Sequence, residues 1–213
     1  MSRPYHHGAL RDALLEEAQL LLAEQGLAAV SLRELARRVG VSHSAPERHF
    51  PNRQALLDAL AARGFVLLGQ AIRQAIATDG DRQDRFTAAA KAYVGFALDN
   101  PALLELMFAS KADQENPAIA TAAAGVFALT AEVMGESPED ATAKTASPLR
   151  LVVAATLQGI ANLAAAGRIQ RDEIDRVIDL AVSVFIPVIA RTPAAPGPGS
   201  RVSSARSADQ AGG

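Results

Sequence analysis

The stretch SLRELARRVGVSHSAPERHFPN, residues 31–52, decides the fold. Ser31 and Glu34 have the spacing of a capping box, which opens a short helix ending near Val39. Gly40-Val41 suits a tight turn, and Ser42 offers an N-cap for a third helix over residues 43–49. Pro46 falls in the first turn of that helix, where it forfeits at most one backbone hydrogen bond. Asn52 caps a fourth, longer helix that runs through Ala55, Leu56 and Leu60 to about Ala77. Upstream, Leu10, Leu14, Ala18, Leu21 and Leu22 share one face of a helix over about 9–25, with Gly26 at its C′ position. Three short helices with a glycine turn between the second and third make a helix-turn-helix unit.

The physics of that unit suits DNA. The third helix enters the major groove, and the N-termini of the second and fourth helices point amides at phosphates. Ser31 and Arg33 stand at one of those starts, Asn52 and Arg53 at the other, placed to clamp the backbone on both sides of the groove. His43 and Ser44 sit at the entering end of the third helix, where side chains reach base edges, Ser42 joins the DNA-binding set beside them, and Arg48 and His49 can reach phosphate. Glu47 is the exception, because a carboxylate repels phosphate. Three roles are open to it: an ion pair that orients Arg48 or Arg53, acceptance from a cytosine amino group, or a handicap that weakens binding. Its place on the flank of a short helix favours the first or the third. Net charge does not decide, being −2 overall with eight Arg against seven acids in the first 65 residues. What decides for DNA is where the cations stand.

LRELARRVGVSHSAPERHFPNRQALLDAL, residues 32–60, resembles the DNA-binding domain of the TetR (tetracycline-repressor-like) transcriptional regulators. YHHGALRDALLEEA before it resembles the first helix of one branch of that family. The resemblance covers roughly the first sixty-five residues in order, spacing and turn. It implies a dimer joined by a four-helix interface, a variable effector-binding domain, and a tyrosine at the position of Glu47 that donates to phosphate. One branch carries a Trp-His-Gly motif in its penultimate long helix. In AATLQGIANL, residues 154–163, that motif is reduced to Gly159, with Gln158 in the place of the histidine.

The rest of the chain reads as helices. Hydrophobic residues make up 49 %, with few aromatics and no tryptophan, which points to helices packed on small side chains. Asp79-Gly80-Asp81 breaks the pattern before a helix over about 82–98. Asn100-Pro101, Asn116-Pro117 and Ser147-Pro148 each set a capping side chain before a proline, opening helices near 101–109, 117–134 and 148–166. Residues 135–146 read as a loop, and a last helix covers about 171–190 with Pro187 near its end. The tail from Thr192 is rich in Pro, Gly, Ser and Ala and is expected to be disordered. The expected architecture is thus all-α: a helix-turn-helix domain over 1–52, a helical effector-binding and dimerisation domain over 53–191, and a tail over 192–213.

Other functions find little support. With no cysteine, disulfides and thiolate metal sites are excluded, and His43 and His49 lack the spacing of a helical ligand pair, so no metal or cofactor is expected. No nucleophile or phosphate loop stands out, so no catalytic role is assigned. The N-terminus lacks an apolar signal core and the apolar runs read as too interrupted to span a bilayer, which suggests a cytoplasmic protein away from membranes. Residues 148–190 carry apolar stripes wider than one core requires, which suits a homodimer. The reading is a transcriptional regulator, most simply a repressor, released from a double-stranded operator by a small apolar ligand. Phe96, Met107, Phe127, Gln158 and Asn162 are candidate effector contacts. The alternatives are a small-molecule-binding helical protein of weakened DNA affinity, as Glu47 permits, and, third, an all-α enzyme.

Overall fold

The computed structural model describes residues 7–77, 80–112, 116–136 and 147–191. Among them are eight α-helices and no strand: α1 (His7–Gln25), α2 (Leu32–Val39), α3 (Arg53–Ile76), α4 (Arg82–Asp99), α5 (Pro101–Ala112), α6 (Pro117–Met134), α7 (Pro148–Ala165) and α8 (Ile174–Arg191). The tail from residue 192 and most of the expected loop before Ser147 lie outside the described residues.

The punctuation residues act locally, as their chemistry requires. Asn52 Oδ1 accepts from the Ala55 amide at 2.8 Å, Asn116 Oδ1 from Ala118 at 3.0 Å, and Ser147 Oγ from Arg150 at 3.2 Å. Asp81 and Asp84 form a complete capping box at the start of α4. The box expected at Ser31 is only half made. Ser31 Oγ accepts from the Glu34 amide at 3.3 Å, but the Glu34 carboxylate is held by Arg37 and Arg38 instead of turning back. Gly40, at φ 74°, closes α2 in the left-handed conformation, which glycine adopts without the steric cost a side chain would meet.

The expected third α-helix is not one. Residues 42–50 form successive tight turns with a 3-10 stretch at Pro46–Arg48. Ala45 bonds to the Ser42 carbonyl, Arg48 to Ala45 and His49 to Pro46, all at i→i+3 spacing. Pro46 explains the change. It has no N–H to give the Ser42 carbonyl, so the four-residue ladder cannot start there and the tighter bond from Ala45 takes its place.

Helix α3 is the centre of packing and touches α1, α4, α5 and α6. Its apolar positions recur at helical spacing, so Leu56, Leu60, Phe65, Leu68 and Ile72 all face inward. Its first half shares a buried cluster with Leu14, Leu21, Leu35 and Phe50 of the helix-turn-helix. Its second half lies among α4, α5 and α6, and α7 and α8 pack onto α4 from the outer side. By length and mean hydropathy three helices suffice to cross a bilayer, α3 and α6 at 1.5 and α7 at 1.3. That corrects the reading of the apolar runs as too interrupted. In this fold half of the α3 window is buried against other helices.

Gly64 is a tight point of that packing. A Cβ built there would stand 2.8 Å from Met107 Cγ and 3.2 Å from Leu103 Cδ1, and Met107 is fully buried. Gly64→Ala is expected to lower stability by about 1–3 kcal/mol, read from the midpoint of urea denaturation, because a full core cannot absorb the extra methyl without displacing Met107.

Candidate nucleic-acid interface and effector cavity

The turns of residues 42–50 present two faces. Pro46 and Phe50 point inward, and Phe50, 2 % exposed, plugs the helix-turn-helix core beneath the Arg11 guanidinium, 5.3 Å from its ring centroid. Ser42, His43, Ser44, Glu47 and Arg48 are exposed, with His49 half-buried at the edge. The hydroxyls of Ser42 and Ser44 lie 3.4 Å apart. Among the described residues Glu47 has no ion-pair partner, so the expected link to Arg48 or Arg53 is not made in the free protein.

Arg53 stands elsewhere than expected. Its Nε donates to the Val30 carbonyl at 2.8 Å and a terminal nitrogen donates to the Leu27 carbonyl at 2.6 Å. Those bonds tie the start of α3 to the segment before α2, which suits a brace more than a phosphate clamp. Arg33 is exposed beside it, while Ser31 serves as the N-cap of α2. The next two cations of α2 are matched by carboxylates. Arg37 pairs with Glu34, and Arg38 reaches Glu17 at 2.7 Å, Glu24 at 2.8 Å and Glu34 at 3.4 Å. The Arg37 hydrogen bond, more than its charge, holds the Glu34 carboxyl below the usual carboxylate range.

Behind the helix-turn-helix, α3, α4, α5, α6 and α7 line an apolar cavity of about 120 Å³. Phe65, Leu68 and Ile72 of α3 form one wall, and Phe86, Val126, Phe127 and Leu157 are among the others. Its polar groups are few. Thr130 donates to the Phe127 carbonyl at 2.9 Å, within its own helix. Arg150 Nε lies 3.0 Å from Glu136 Oε2, and that carboxylate also accepts from Ser147 Oγ at 2.6 Å. Tyr93 donates to Gln158 Oε1 at 2.6 Å, and burial pushes its hydroxyl pKa up to about 12.

A second, more open groove lies between α4, α5 and α7 and measures about 530 Å³. Gln158 and Asn162 line it together with Glu105, Pro101 and Phe108, and Gln158 Nε2 donates to Asn162 Oδ1 at 2.9 Å. The five expected effector contacts are therefore divided. Phe127 lines the cavity and the two amides line the groove. Met107 is core packing against Gly64, and Phe96 lines neither space. Physical size explains the error at Met107: a flexible apolar side chain fills gaps in a core as readily as it lines a pocket.

Two family models match this chain. Residues 14–60 match that of the bacterial regulatory proteins of the tetR family, and residues 86–185 match a tetracyclin repressor-like C-terminal domain. The chain belongs to the TetR family. Its fold is similar to that of a protein of unknown function from Rhodococcus sp. RHA1, at 39 % identity and TM-score 0.71, covering 86 % of this chain and 97 % of that one. The tetracycline repressor of class C from Escherichia coli is 45 % identical over 51 residues, 24 % of this chain and 23 % of the repressor. The nucleoid occlusion factor SlmA of Aliivibrio fischeri is 29 % identical over 98 residues, 46 % of this chain and 50 % of SlmA. The chain thus spans about half the length of the first curated relatives it matches.

The exposed face of residues 42–48 lies within the helix-turn-helix segment that matches the tetR-family model of bacterial regulatory proteins. The inward residues of the cavity were harder to find. Tyr93 carried a usable signal, because a tyrosine in an apolar stripe needs a partner for its hydroxyl. Arg150 had a weaker one, a lone cation in the first turn of an apolar helix.

Tyr93 offers a direct check of the cavity wall. The folded state favours its protonated form, so the stabilisation is present below the ordinary tyrosine pKa of about 10 and is lost as pH rises from there through about 12. Ultraviolet difference titration of the folded protein should show one of the two tyrosines ionising late. Tyr93→Phe should remove that late step and leave the earlier one.

Proposed function

We propose that this TetR-family protein is a ligand-responsive repressor that binds a double-stranded operator as a homodimer and leaves it when a small, largely apolar molecule enters the effector domain. The observation that carries the reading is the double role of α3. The helix whose start is braced to the helix-turn-helix by Arg53 also supplies Phe65, Leu68 and Ile72 to the cavity wall. A ligand that alters the cavity therefore bears on the bar that aims the reading turns. Coupling of about 1–3 kcal/mol is enough for a useful switch.

The dimer reading is supported by the outer faces of α7 and α8. Leu151, Val152 and Leu163 on α7, and Leu180, Val184 and Val188 on α8, are between 44 % and 66 % exposed. So large an apolar surface on paired helices suits a matching copy, and two copies would set their reading turns one helical turn of DNA apart. In this reading residues 1–52 are the DNA-binding unit, 53–191 the effector and dimer unit, and 192–213 an appended tail. The protein acts in the cytoplasm, without a catalytic centre.

Ser42, His43 and Ser44 are assigned to base edges, and Arg33, Arg48 and His49 to phosphate. Ser31 and Arg53 position the unit. Glu47, exposed and without an ion-pair partner in the described residues, is assigned as a handicap to binding. Selection of bound sequences from a random DNA pool should return two half-sites centred about 34–36 Å apart. Recovery of single sites, or no enrichment at low salt, would sink the repressor reading and leave the small-molecule-binding alternative.

The assignments separate by salt. Arg48→Ala should weaken binding to all sequences alike and flatten the salt dependence by about one unit per protomer. Arg53→Ala should leave that slope unchanged and lower folding stability by about 1–3 kcal/mol, since two backbone carbonyls lose a charged donor. Glu47→Tyr should tighten binding, and an unchanged or weaker affinity would give Glu47 a positive role instead.

A further inference from the structure

The two spaces of the effector domain share a wall. Phe108 lines both, and its ring stands edge-on to Phe65 with centroids 6.4 Å apart and planes at 83°. Being 43 % exposed, it has room to swing toward solvent. The other shared element is the Tyr93–Gln158 hydrogen bond, whose donor lines the cavity and whose acceptor lines the groove. The Phe108 ring and the Tyr93–Gln158 hydrogen bond thus stand between the apolar cavity and a groove that carries Glu105, Gln158 and Asn162.

The chambers differ in what they accept. Among the polar groups lining the cavity, Thr130 donates to its own helix, Tyr93 donates to Gln158, and Arg150 is ion-paired to Glu136 with Nε 3.0 Å from Oε2. A neutral polar ligand atom placed among the apolar walls would lose water with little compensation. At about 120 Å³ the space approaches the engineered apolar cavity of roughly 150 Å³ that holds benzene. It therefore fits one ring or a compact branched alkyl group. In the groove, Glu105 is exposed and pairs with no cation among the described residues, and Asn162 presents an exposed amide. No Lys, Arg or His lines it.

We propose that the effector is bipartite. It carries a ring-sized apolar group for the cavity, and a hydrogen-bond-donating head, hydroxyl or ammonium and not carboxylate, for the groove beside Asn162 and Glu105. The proposal rests on the reading of these spaces as the effector site. A hydroxyl meets both groups, accepting from the Asn162 amide and donating to Glu105. An ammonium is drawn to Glu105, and a carboxylate is repelled by it.

Calorimetric titration of the full chain with phenylpropanol, phenylpropylamine and phenylpropionate tests this. The alcohol and amine should bind, with the carboxylate at least about tenfold weaker. Asn162→Ala should weaken the alcohol about five- to tenfold, and Glu105→Gln should narrow the gap between amine and carboxylate. Both side chains are exposed, and matching thermal melts will verify that the variants fold. Equal or tighter binding of the carboxylate, a gap that survives Glu105→Gln, or no binding of any probe overturns the proposal. Measuring operator release in parallel keeps the two readings apart. Binding with the expected preference but no release rejects the effector role and leaves the head-group chemistry standing. Release by the carboxylate alone does the reverse.

Discussion

One buried face of α3, from Leu56 to Ile76, holds the two halves of the molecule in register. Seven large apolar side chains lie on it, and burying each stabilises the fold by roughly 1.5–3 kcal/mol before conformational entropy is counted. That sum far exceeds any coupling of 1–3 kcal/mol between ligand and DNA. On the proposed function, signalling therefore cannot proceed by peeling α3 away from its neighbours. A small tilt of the whole helix would instead carry the helix-turn-helix with it, because Arg53 fastens the start of α3 to the carbonyls of Leu27 and Val30.

Local rules made much of this architecture legible from residues alone. Helix starts at Asn52, Asn116 and Ser147 follow from short-range chemistry, in which one side chain satisfies an amide two or three residues away. Competition defeated the same logic at Ser31, where Glu34 had a nearer and stronger use in Arg37 and Arg38. It failed again at residues 43–49. A proline tolerated in the first turn of a long helix is not tolerated equally in a helix of seven residues, where one missing bond is a large share of the ladder.

The site was less legible, for a reason of distance. The exposed face of residues 42–48 could be read because its members are neighbours in sequence. Cavity walls are drawn from five helices, and nothing at Phe127 or Met107 announces which faces a void and which fills one. Nor did the chain announce that Arg53 would find backbone carbonyls more than twenty positions upstream. Gln158 and Asn162, one helical turn apart, do share the groove, but their separation from the apolar cavity depends on how Tyr93 crosses between α4 and α7.

The electrostatics of the DNA-facing unit bear on why two copies are needed. Arg37 and Arg38 are matched by Glu17, Glu24 and Glu34, and Arg53 is bonded to the backbone carbonyls of Val30 and Leu27. On the proposed assignments Arg33 and Arg48 remain for phosphate, with Glu47 opposed. Counterion release scales with the number of phosphates neutralised, so one such unit gains little affinity at physiological salt. Doubling the unit through the apolar faces of α7 and α8 adds the contacts of a second half-site without a new cation in the chain. It also makes affinity sensitive to the distance between the two units, which a tilt of α3 would change. Weak single contacts and a stiff shared bar thus serve the same end: binding that depends on geometry more than on charge.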